Sequence, residues 1–196
     1  MPQIDPSPTL NAVANSDDAA PRRQRGGLTF TQLLLIAALV TAGFALNFTA
    51  GKLIAGTAGD ILAPEFLVAA LCLAVLLIRP DTMQALAIGV ISAAAAQITT
   101  TSPGIDFIAE GVAAIVMAAI VNIYMKQADS WLVPTLGALV TTLCSGCIFV
   151  GARMIMTTVP AESLMGMLQI VAVTSLLNAV LVGALYRPLK SLLKIA

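Results

Sequence analysis

The sequence predicts an all-α integral membrane protein, a bundle of about six transmembrane helices with both termini cytoplasmic. Three observations lead there. Of 196 residues, 59% are hydrophobic and 10% charged, against roughly a quarter charged in a soluble domain. The apolar residues gather into six long runs separated by short polar breaks. Lysine and arginine also fall mainly on one side of those runs, as the positive-inside rule requires.

The first stretch is different in kind. Residues 1–27 hold Pro2, Pro6, Pro8 and Pro21, scattered Asp, Ser and Asn, and then Arg22, Arg23 and Arg25 before Gly26 and Gly27. That composition buries too little apolar surface to order a chain, so a disordered cytoplasmic tail is expected. An arginine group ahead of an apolar run also fits the front of a signal peptide. The run is kept as a span because the charge tally below depends on it. The six-helix domain is then 28–196.

The runs follow in order. The first, about 28–49, carries no charge. The second, about 61–78, is entered through Pro64 and Glu65 and is apolar from Phe66 to Ile78. The third, about 83–98, is rich in alanine. The fourth, about 105–125, is interrupted by Asp106 and Glu110. The fifth and sixth lie at about 131–153 and 164–186. Runs of this length reach roughly 24–36 Å as α-helices, enough to cross a ~30 Å hydrocarbon core with some tilt. Helices are expected rather than barrel strands, because each run is long and none alternates.

With the amino terminus in the cytoplasm, Arg22, Arg23, Arg25, Arg79, Lys126, Arg187, Lys190 and Lys194 fall inside, and only Lys52 and Arg153 fall outside. In that frame Asn47, Asp60, Glu65, Gln97, Asp106, Glu110, Arg153 and Gln169 all collect in the outer third or its loops. The inner half holds only Asn122 and Asn178. Polar side chains at one end describe a pocket open to that side, since a through-pore needs polar lining along both halves.

Glu110 and Arg153 stand inside or at the edge of apolar runs, where a charge is costly unless paired or wetted. One reading is a ligand site, with Arg153 taking a carboxylate and Glu110 or Asp106 an ammonium. The other is that the two pair to hold two helices, or that Arg153 reaches the interface on its apolar stem. The Thr99–Gly104 stretch, with Thr100 and Thr101, is either a ligand loop or a turn punctuated by Pro-Gly. Ala38 and Ala42 form a small-xxx-small pair of the kind that lets helix backbones approach in lipid. Cys144 and Cys147 have redox spacing but lie mid-run in an apolar segment.

Several classes are disfavoured. Zero net charge gives no basis for nucleic-acid binding. Histidine is absent, which removes the commonest general base and metal ligand. There is no Walker A motif. No enzyme activity, metal or cofactor is therefore expected.

Two stretches carry a family resemblance. Ala63-Pro64-Glu65-Phe66-Leu67 through Leu76-Leu77-Ile78-Arg79-Pro80, and Gly89 to Gly104 (GVISAAAAQITTTSPG), resemble the tryptophan-transporter family of bacterial membrane proteins. That family is similar to the substrate-binding S components of energy-coupling factor (ECF) transporters. The likeness covers roughly residues 30–125. It implies a multi-pass plasma-membrane protein with an outward pocket for a small organic nutrient, such as tryptophan, a related amino acid or a vitamin-like compound. It favours reading Thr100 and Thr101 as part of a ligand loop; the polar residues collected at the outer end, Asn47, Glu65, Gln97, Asp106, Glu110 and Arg153, are the expected substrate-binding set. It also implies that the first helix docks through Ala38 and Ala42 on a coupling transmembrane protein joined to ATPase subunits. The chain departs from the family pattern after Pro103 and Gly104, where Asp106 and Glu110 make the pocket acidic. The competing expectation is a free-standing secondary carrier or exporter, coupled to protons through an outer carboxylate.

Overall fold

A computed structural model describes residues 27–53, 65–100, 102–125, 131–156, 160 and 162–193. The proposed tail (up to residue 26), Thr101, most of the 50–60 connection with residues 61–64, and all of the 126–130 connection lie outside the described residues. Among the described residues the chain is helical: α1 (Phe30–Leu46), α2 (Phe66–Ile78), α3 (Thr82–Ala96), α4 (Ile105–Tyr124), α5 (Leu132–Met156) and α6 (Ser163–Leu192).

Local chemistry sets the helix ends. Thr29 opens α1 with a reciprocal cap: its hydroxyl accepts from the Gln32 N–H, and Gln32 Oε1 accepts from the Thr29 N–H at 2.9 Å. Asp81 and Gln84 repeat that arrangement at the start of α3. Each box satisfies two backbone donors that a helix start leaves open. α1 does not stop cleanly but widens into a π turn over Asn47–Gly51. α2 ends where Arg79 takes a left-handed conformation, φ 51°, directly before Pro80, which cannot continue a helix. Gly104, φ 89°, lets the chain enter α4 through a conformation that an L side chain resists.

The packing is a ring around one helix. α2 touches each of the other five. Every residue from Leu67 to Leu77 is buried, which explains why FLVAALCLAVLLI is apolar on all sides rather than on one stripe. Around it α1 packs on α3, α3 on α4, α4 on α5, and α5 on α6, while α1 and α6 do not meet among the described residues. Close approach depends on small residues. A methyl at Gly43 would sit 2.8 Å from Ala70 Cβ on α2, and one at Gly89 would sit 2.6 Å from the Glu110 carbonyl on α4. Such sites are how helices gain contact where lipid is as apolar as the side chains.

Four segments are long and apolar enough to cross a membrane: Phe30–Gly51, Ile105–Tyr124, Leu132–Met156 and Ser163–Leu192. Their outer faces carry exposed Leu, Ile, Val and Phe, with Phe30 75% and Val180 69% exposed, a surface suited to lipid and not to water. The chain thus has the build of an α-helical membrane protein. Two of the six expected spans are shorter, α2 at 13 residues and α3 at 15. At 1.5 Å per residue α2 is only about 20 Å long. Protein encloses it on every side, so the hydrocarbon thickness does not set its length.

Candidate functional site

Because the helices alternate in direction, one end of the bundle gathers the C-terminal ends of α1, α3 and α5 and the N-terminal ends of α2, α4 and α6. The short α2 leaves space above its first turn. A cavity of about 480 Å³ occupies it, lined by residues of α2 to α6, of the π turn that continues α1 and of the segment that follows α3. This is within the size range of small-molecule sites, ~300–1,000 Å³. Beneath it the core is filled by Val68, Leu71, Cys72, Val75 and their neighbours.

Asn47, Glu65, Thr100, Asp106, Glu110 and Arg153 all line this cavity. Gln97 does not. Its Nε2 donates to Asp106 Oδ2 at 3.0 Å, and its Oε1 accepts from the Gly104 N–H at 3.0 Å. Gln97 therefore holds the 97–104 turn shut and fixes the Asp106 rotamer. Thr100 is partly committed too, its hydroxyl accepting from the Ser102 N–H at 3.2 Å. Asn47 faces the cavity while its Oδ1 accepts from the Phe66 N–H, so the end of α1 caps the start of α2. Gln169 is exposed on α6 and lines nothing.

Asn178 does not line the cavity but ties together two residues that do. Its Nδ2 donates to the Glu65 carbonyl at 3.1 Å and to Thr142 Oγ1 at 3.4 Å. The reason is length. α6 has 30 residues, so its midpoint is level with the first turn of the much shorter α2.

The charges have an axial order. Glu65 is level with Thr142 through Asn178, at the floor. Arg153 lies eleven residues further along α5 than Thr142, about 16 Å nearer the mouth. Lys52 also lines the mouth side, with Nζ 4.4 Å from the Phe48 ring centre. Asp106 is 5% exposed, and Glu110, one turn deeper on α4, is 2% exposed. Neither oxygen of Glu110 makes a hydrogen bond of ordinary geometry among the described residues, although the Ser92 hydroxyl of α3 lies nearby. The Glu110–Arg153 pairing is therefore not formed. Asp106 and Glu65 sit at helix N-termini and Arg153 near a C-terminus, so the helix dipoles favour all three. Glu110 has no such partner.

Sequence reasoning missed most of the lining. Thr142, Ser145, Phe149 and Arg153 make one stripe of α5, and Met167, Ile170, Val171 and Thr174 make one stripe of α6. The α5 stripe was readable as hydroxyls at helical spacing leading up to Arg153. The α6 stripe was not, because Met, Ile and Val look the same facing a cavity, a core or lipid. Of the docking pair, Ala38 and Ala42 both lie on the exposed face of α1. Comparison with protein-family models, curated proteins and solved structures finds no match to this chain.

Proposed function

We propose that this chain is the membrane-embedded substrate-binding component of an ECF-type uptake transporter, capturing a small organic nutrient such as tryptophan, a related amino acid or a vitamin-like compound. The observation that carries the reading is the one-ended cavity. Five helices and the π turn that continues α1 contribute to its wall, and its polar groups stop where the apolar core begins. A site with that build binds a solute from one side and has no continuous polar path for releasing it on the other. Release then needs a reorientation driven from elsewhere. Ala38 and Ala42, exposed on α1, give a smooth strip on which a coupling membrane protein with ATPase subunits would pack. In this reading all six helices belong to the membrane domain of a bacterial plasma-membrane protein. The cavity opens outward, and Arg79, Arg187 and Lys190 lie at the cytoplasmic end together with both termini.

The test is binding and transport by the isolated chain. The purified protein should bind its solute tightly in detergent, yet sustain no uptake in liposomes without ATPase partners. A second reading, a proton-coupled carrier, is favoured by the buried Glu110 carboxyl. It predicts flux from this chain alone that a protonophore abolishes, and that result would displace the capture reading.

A further inference from the structure

We infer that the cavity takes its ligand ammonium-first, with Glu110 as the primary receptor for a protonated amine on an apolar organic body. The inference rests on the capture reading and adds the substrate class to it.

Three features of the site converge. Glu110 is 98% buried, lines the cavity, and has both carboxyl oxygens without a hydrogen bond among the described residues. Buried acceptors are ordinarily satisfied; the Ser92 hydroxyl beside Glu110 can supply one donor, and a carboxylate that lines a cavity has room for further donors brought by a guest. A primary ammonium carries three donors and no acceptor, which suits that need. Secondly, the charges run from Lys52 and Arg153 near the mouth to Glu65 and Glu110 at depth. A cation gains by moving down this axis, while an anion is held near the mouth. Finally, the space above Glu65 and Glu110 is walled by Leu67, Phe149, Val150, Met167, Ile170 and Val171, which suit an apolar body.

A bare metal ion does not fit. Among the described residues no three acidic or sulfur side chains are close enough to hold one. Asp106 already accepts from Gln97 on one oxygen. The carboxyls are within electrostatic reach of one another without converging on a point.

The experiment uses the full chain in detergent and matched solute triples that share one apolar body. Tryptamine, tryptophol and indole-3-propionate form one triple; phenethylamine, 2-phenylethanol and 3-phenylpropionate form another; tryptophan is added as a zwitterion. Calorimetry and thermal shift should show the ammonium member binding about tenfold or more tightly than its neutral partner, as a charge-assisted contact implies. Glu110→Gln should remove most of that ratio, and Glu110→Asp should retain part of it. Without ligand, Glu110→Gln should melt at or above the wild-type temperature, which separates loss of a receptor from loss of the fold. Equal binding of neutral and ammonium members, preference for the carboxylate, or a ratio unchanged by Glu110→Gln would overturn the ammonium assignment and leave capture standing. If no triple and no tryptophan binds, the capture reading fails and this inference fails with it.

Discussion

Replacing Gly89 by alanine tests whether the α3–α4 contact holds Glu110 where the site needs it. A methyl at Gly89 would lie 2.6 Å from the Glu110 carbonyl oxygen, 2.9 Å from Gly111 Cα and 3.0 Å from Ala114 Cβ. Two of those three atoms are backbone, so no side-chain rotation relieves the clash. Restoring ordinary contact needs roughly 0.8 Å of separation between the helices. Overpacking of this kind costs about 1–3 kcal/mol. Alanine returns about 1 kcal/mol through helix propensity, so the net loss should be about 0–2 kcal/mol, or about 1–3 kcal/mol relative to a Gly→Ala change without the clash. Gly151 on α5 is the control, since nothing lies within 4 Å of a methyl built there. Gly151→Ala should be neutral or slightly stabilising. Titration with SDS in bicelles, followed by circular dichroism, reads both variants on one scale. If Gly89→Ala unfolds at the same SDS fraction as Gly151→Ala, the helices are not in the close contact described, and the account of how Glu110 is positioned fails.

Other perturbations follow from the same geometry. Asn178→Leu removes the donor shared by Glu65 and Thr142, and should cost about 1 kcal/mol by SDS titration and weaken solute binding, because the floor loses its tie between α2, α5 and α6. Asn47→Ala uncaps α2 and should cost about 0.5–2 kcal/mol; hydrogen exchange should show the Phe66 amide opening faster. Ala42→Leu falls on the exposed face of α1. It should leave stability and binding by the isolated chain unchanged while lowering uptake in cells that express the coupling and ATPase subunits.

The fold was legible where one residue type answers one question. Arg79-Pro80 marked the break between two runs, and the charge-free run from Phe66 to Ile78 predicted a helix that never meets water; the caps at Thr29 and Asp81 came only with the structure. What the sequence did not disclose was that this run meets no lipid either. Enclosure of α2 is a property of five neighbours, and it explains both its short length and the cavity above it. Six of the named site residues line the cavity, since charges and amides in an apolar chain must gather where they can be solvated. Gln97 shows the limit of that logic. Its polarity is used up on Asp106 and the Gly104 amide, and only coordinates distinguish an amide facing a guest from one tying a turn.

The enclosure of α2 also bears on how the protein is assembled. Phe66–Ile78 leaves the ribosome early, yet two of the helices that cover it, α5 and α6, are made last. The Asn178–Glu65 bond joins residues 113 apart in sequence. Until α6 arrives, the first turn of α2 lacks its tie and the cavity lacks one wall. The cavity is therefore complete only once α6 is in place. A solute that stabilises the finished cavity acts on the last closure of the bundle rather than on the insertion of its parts.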